Sequence, residues 1–76
     1  MALKKEELVS GCFAKAKDDE PLFVLRSTDM LSPEVVRHWI ALAQAAGVDQ
    51  AKIDGAKSLL YDMVEWQATY GAKVPD

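Results

Sequence analysis

The side chains able to do chemistry in these 76 residues are few. His38 is the only histidine and Cys12 the only cysteine, so any imidazole or thiol chemistry must use them. Glu34 stands four residues before His38, one helical turn away, which is half of a metal site. A closed metal site needs more ligands than one imidazole and one carboxylate, and a solvated histidine on a helix face is the simpler reading. Attack by Cys12 with His38 as base would need a third group to orient the imidazole, and the sequence suggests none. Asp18, Asp19 and Glu20 form an acidic run without the alternating spacing of a calcium loop, which reads as a solvated turn. Gly11, Gly47, Gly55 and Gly71 are too dispersed to cradle a phosphate. The expectation is therefore no catalytic set, no metal and no cofactor, and a chain that is not an enzyme.

Two further groups carry recognition chemistry. Arg26, Thr28 and Asp29 form a polar corner after the apolar run Leu22 to Leu25. Its local reading is an Asx-turn, with Asp29 accepting backbone N–H bonds and pairing with Arg26. Its sharper reading presents Arg26 and Arg37 together to an anionic ligand or an acidic patch, which the planar guanidinium suits. The second group is aromatic: Trp39, Trp66, Tyr61 and Tyr70. Such rings at helical spacing usually fill a core, but large amphipathic rings are also favoured at interfaces. The preferred functional surface joins Leu22, Phe23 and Leu25 with Arg26, Arg37, Trp39, Trp66 and Tyr70.

These residues must be positioned by a small all-α fold. Apolar residues at Leu8, Val9, Cys12, Phe13 and Ala16 recur at helical steps, predicting a first helix over 3–17, frayed at its ends, in the N-terminal segment 1–20. Gly11 weakens it by about 1 kcal/mol relative to Ala, and Pro21 holds Glu20 extended. Residues 22–26 form a short apolar segment with no partner strand elsewhere. Left alone, its ladder groups would go unpaired. It lies as an extended strap over a helical core or pairs with its own copy in a dimer. Ser32 reads as an N-cap, with Pro33 at the first helical position, Glu34 at the positive helix end, and Leu31 and Val36 as a hydrophobic staple. The helix then runs over 33–46, with Val35, Val36, Trp39, Ile40, Ala43 and Ala46 on its apolar face, and ends at Gly47. Asp49 caps a third helix over 50–70, with Val48 and Ile53 as its staple. Its stripe is Ile53, Ala56, Leu59, Leu60, Met63, Val64 and Trp66. The short loop between these two helices makes them an αα-hairpin. Residues 72–76 read as a partly mobile tail.

The totals bound the rest. A chain of this length makes one domain, buries a modest fraction of its surface and gains from a partner or a second copy. Twelve acidic residues oppose nine basic ones, for a net charge of −3. Duplex binding needs clustered Lys and Arg to displace counterions, and here they are scattered. A recognition helix needs a basic, amide-rich face, whereas the last helix mixes Lys52 and Lys57 with Asp54, Asp62 and Glu65. Nucleic acid is thus not an expected partner. A lone cysteine fits a reducing compartment. No signal peptide and no membrane span are legible, so a cytoplasmic location is expected.

The block PLFVLRSTDMLSPEVVRHWIALAQAAGV, followed by KI, AK, DMVEWQ and a terminal KVPD, resembles a group of short proteins encoded by bacteriophages and prophages. The resemblance spans about 21–76. It rests on Phe23-Val24-Leu25-Arg26, Asp29, Ser32-Pro33, Met63 to Trp66 and the final Val-Pro-Asp. It brings no activity, ligand or catalytic residue with it. It implies a setting, the cytoplasm of an infected or lysogenic bacterium, where proteins of this size often bind and block a host enzyme or defence component. The expected function is therefore a small accessory protein that binds and modulates or inhibits a host protein, with a homodimer as a possible form. The alternative is a protein that sequesters a small ligand, such as a nucleotide signal, through Arg26, Arg37 and aromatic stacking. An enzyme using His38 is the weakest reading.

Overall fold

The computed structural model describes residues 3–75. The fold is all-α. Two single-turn helices, α1 (Lys4–Glu7) and α2 (Cys12–Lys15), precede the long pair α3 (Ser32–Ala46) and α4 (Gln50–Tyr70).

The helix expected over 3–17 is present as two pieces with a turn at 8–11 between them. Gly11 is extended there (φ −88°, ψ −165°). Neither piece buries a residue, and they pack on each other rather than on α3 or α4. Most helix stability in proteins comes from burying an amphipathic face. Leu8, Val9 and Phe13 all remain exposed, so nothing outweighs the cost of Gly11.

α3 and α4 form the expected hairpin. Gly47 takes the left-handed conformation (φ 74°, ψ 29°). The Gly47 N–H donates to the Gln44 carbonyl at 3.3 Å and the Val48 N–H to the Ala43 carbonyl at 3.0 Å. These two bonds are the Schellman pattern that satisfies the last carbonyls of a helix. Two residues later the Asp49 carboxylate accepts from the Ala51 N–H at 3.3 Å and caps α4. Val36, Ile40 and Ala43 of α3 bury against Ile53 and Met63 of α4, and Leu25, Val48, Ala56, Leu59 and Leu60 close around them.

The apolar face of α3 is wider than this core. Val35, Trp39 and Leu42 lie on its other edge and stay exposed, as does Leu31. With Leu31 itself as the residue before α3, the register of the expected Leu31–Val36 staple moves by one residue. At 1.5 Å per residue, the 21 residues of α4 outrun the 15 of α3. The corner at 26–31 and the chain after Tyr70 fill the space beside that overhang.

The corner is where expectation and structure part. Ser32 does not cap α3 with its side chain; the residue before the helix is Leu31. Instead the Ser32 hydroxyl, fully buried, donates to the Arg26 carbonyl at 2.9 Å. α3 has no side-chain cap; Asp29 forms an Asx-turn just before it, its carboxylate accepting the Leu31 N–H at 2.8 Å. The tail is fastened as well. Lys73 donates its N–H to the Thr28 carbonyl and accepts from the Met30 N–H, both at 3.0 Å. This isolated parallel bridge joins Lys73 to Asp29 and fixes the middle of the tail expected to be mobile.

Candidate interaction surface

Residues 22–26 are neither helix nor turn, and the end of the strap is built into the fold. Leu25 packs on the helical core. Leu22, Phe23 and Val24 do not, and Phe23 is 85% exposed. Arg26 begins a turn closed by the Asp29 N–H donating to the Arg26 carbonyl at 3.0 Å. Its side chain points into solvent and forms no ion pair with Asp29. The expected Arg26–Asp29 pairing is replaced by backbone bonding, because the Asp29 carboxylate is spent on the Leu31 N–H.

Gln67 organises this end of the molecule. Its side-chain amide donates to the carbonyls of Ser27 and Asp29, each at 3.0 Å. Both amide protons are thereby used across nearly forty residues of sequence. The amide ties the last turns of α4 to the corner, and the corner in turn holds Lys73. Sequence reasoning passed over Gln67, since a glutamine among charged residues on a helix reads as solvated surface. The signal that could have found it is its position: Gln67 follows Ile53, Leu60 and Met63 at steps of seven, three and four on the buried stripe.

Around this lock lie two shallow, open hollows. One, of about 350 Å³, is lined by Val24, Arg26, Thr28, Asp29, Lys73 and Pro75. The other, of about 310 Å³, is lined by Thr28, Tyr70, Gly71, Ala72 and Lys73. A small-molecule site encloses most of its ligand; these hollows do not. Arg37 belongs to neither. It pairs with Glu34 on the exposed face of α3, so the two arginines do not converge on one ligand.

All six aromatic residues, Phe13, Phe23, Trp39, Tyr61, Trp66 and Tyr70, stay exposed. Trp66 and Tyr70, one turn apart on α4, stack with ring centroids 4.8 Å apart and planes tilted by 42°. Trp66 is 38% and Tyr70 71% exposed. Trp39 on α3 is 46% exposed between Val35 and Leu42, an apolar stripe that no other element covers. Of the expected surface, Leu22, Phe23, Arg26, Trp39, Trp66 and Tyr70 are presented to solvent, Leu25 is partly taken by the core, and Arg37 is held by Glu34.

His38 and Cys12 are both exposed and share no hydrogen bond. Among the described residues, no three His, Cys, Asp or Glu side chains gather where a metal ion could be held. No described helix is long and apolar enough to cross a membrane. No family model, curated protein or solved structure matches the chain.

Proposed function

We propose that this chain is a non-enzymatic binding protein that engages another protein and modulates or inhibits it. In the setting implied by the phage-type resemblance, that partner is a host protein, and a defence component is one class of it. The observation that supports this reading is the placement of the rings of Phe23, Trp39, Trp66 and Tyr70. Trp39, Trp66 and Tyr70 are held out on the two long helices and Phe23 on the strap, all four exposed. Aromatic anchors of this kind carry most of the energy of protein interfaces. The hollows beside them are too open to hold a small molecule by enclosure, which favours a macromolecular partner over a nucleotide signal.

Affinity purification of the tagged chain from bacterial lysate, followed by mass spectrometry, tests the reading. The same recovery is done with Trp39→Ala and with Tyr70→Ala. The expected result is one dominant host protein whose recovery falls at least about tenfold for one of the two variants, as loss of an interface anchor requires. No protein recovered above background, or equal recovery by both variants, overturns it.

A further inference from the structure

The strap has bonding capacity that the fold does not use. Among the described residues, the N–H and C=O groups of Leu22, Phe23, Val24 and Leu25 make no hydrogen bond within the chain. An extended backbone with a free edge is a template for another strand. Its charges are arranged with a sense of direction. Glu20 opens the extended segment and Arg26 closes it, with five uncharged residues between them. The Glu20 N–H donates to the Lys17 carbonyl at 3.1 Å, and the Lys17 N–H reaches the Glu20 carboxylate at 3.4 Å. That turn keeps Asp18 and Asp19 out of the extended run.

We infer that residues 20–26 pair with the same segment of a second copy, antiparallel, with the two-fold axis at Phe23. In this register Glu20 of each copy stands opposite Arg26 of the other. Leu22 stands opposite Val24, Pro21 opposite Leu25, and the two Phe23 rings meet on the axis. Directly opposed opposite charges stabilise an antiparallel pair, and like charges destabilise it. A parallel pairing would set Glu20 on Glu20 and Arg26 on Arg26. Antiparallel registers shifted toward the acidic run would need the turn at 17–20 to open. The segment is therefore complementary to itself in one direction and one register.

Packing supports the same occupant. Two strands alone make a ribbon of marginal stability, but Leu25 seats each strand on its own helical core. Side chains alternate along a paired strand, so in the pairing Glu20, Leu22, Val24 and Arg26 share the face away from Leu25. The ion pairs and the Leu22–Val24 contacts then form one cross-strand ladder. The surface area is also in surplus. The chain exposes 6077 Å², against about 4,600 Å² for a folded monomer of this mass. The difference exceeds the roughly 800 Å² that each partner gives to an interface of standard size.

The test is sedimentation of the full chain over a concentration series, with helicity by circular dichroism to confirm that each variant folds. The wild type is expected to dimerise reversibly. Glu20→Arg and Arg26→Glu should each weaken the dimer at least about tenfold, because like charges then face each other. The double reversal Glu20→Arg/Arg26→Glu should return it to within about threefold of wild type. An equimolar mixture of the two single variants should form a heterodimer, since one chain then carries two positive charges where the other carries two negative ones. A wild type that stays monomeric, a dimer indifferent to both reversals, or a mixture that fails to associate overturns the inference. The inference does not rest on binding of a host protein: charge variants that remain monomeric and still recover that protein would separate the two surfaces.

Discussion

A single side-chain amide, at Gln67, holds the corner, the tail and the last turns of α4 together. Its two bonds to the Ser27 and Asp29 carbonyls are partly buried. Gln67→Ala removes both donors; the Asp29 carbonyl keeps the Ser32 N–H, but the Ser27 carbonyl is left without a partner, a cost of about 1–3 kcal/mol. The expected readout is a lower urea midpoint with an unchanged slope. Gln67→Glu should cost more at neutral pH, because an ionised carboxylate presents acceptors to acceptors. Ser32 makes the complementary case. Its hydroxyl donates to the Arg26 carbonyl, which also receives the Asp29 N–H. Ser32→Ala therefore leaves no orphan and should cost about 1 kcal/mol. Ser32→Thr keeps the hydroxyl but adds a methyl where the side chain has no exposure, and should cost about 1–3 kcal/mol through overpacking. A threonine variant as stable as the alanine one would show that the site has slack. At this scale the sequence was half legible. Ser32-Pro33 marks the helix start correctly, because those residue types suit it. It does not reveal that the hydroxyl turns outward to a carbonyl six residues back, since that depends on where the strap comes to rest.

At the scale of elements, the hairpin was readable because its punctuation is local. Gly47, Val48, Asp49 and Ile53 satisfy helix ends within a few residues of themselves, and local bonding leaves its mark on local residue choice. The N-terminal segment is helical only in two short pieces, for the opposite reason. Its periodicity is helical, but periodicity says only that a face could be buried, and no element offers one. The docking of Lys73 was not legible because its anchor, Thr28 to Met30, lies some forty residues away. The two helix-ending glycines differ in a way that can be measured. Gly47 sits in the ordinary left-handed region (φ 74°, ψ 29°). Alanine there should cost about 1 kcal/mol and asparagine less. Gly71 has φ 86° and ψ 167°, a region that is essentially glycine's alone, where strain is about 1–3 kcal/mol. Neither glycine has a neighbour within 4 Å of a new Cβ, so the difference is one of backbone conformation. Gly71→Ala should be the more destabilising by thermal melting. It should also raise the exchange rate of the Lys73 and Met30 amide protons, which depend on the tail staying docked. Equal melting temperatures, with both amides still protected, would refute the assignment.

For the whole molecule, the balance of buried and exposed apolar surface decides what it needs. The fully buried apolar residues are Val36, Ile40, Ala43, Ile53 and Met63, while Phe23, Trp39, Trp66 and Tyr70 face water. The radius of gyration, 13.1 Å, exceeds the roughly 11.4 Å of a compact chain of this length. So small a core leaves the isolated chain with little margin. Any partner that binds only the folded state adds stability by mass action. If the second copy is that partner, stability must depend on the concentration of the chain itself. From well below the dimer dissociation constant to about a hundredfold above it, the folded chain should gain on the order of 1–2 kcal/mol. For a domain of this size that gain raises the melting temperature by roughly 5–15 °C. Arg26→Glu should move that rise to concentrations at least about tenfold higher and leave the dilute melting temperature at the wild type's value, because Arg26 is exposed and, among the described residues, forms no ion pair. A concentration dependence that Arg26→Glu leaves unshifted would move the self-association to another surface, with the uncovered stripe of Val35, Trp39 and Leu42 on α3 the next one to test.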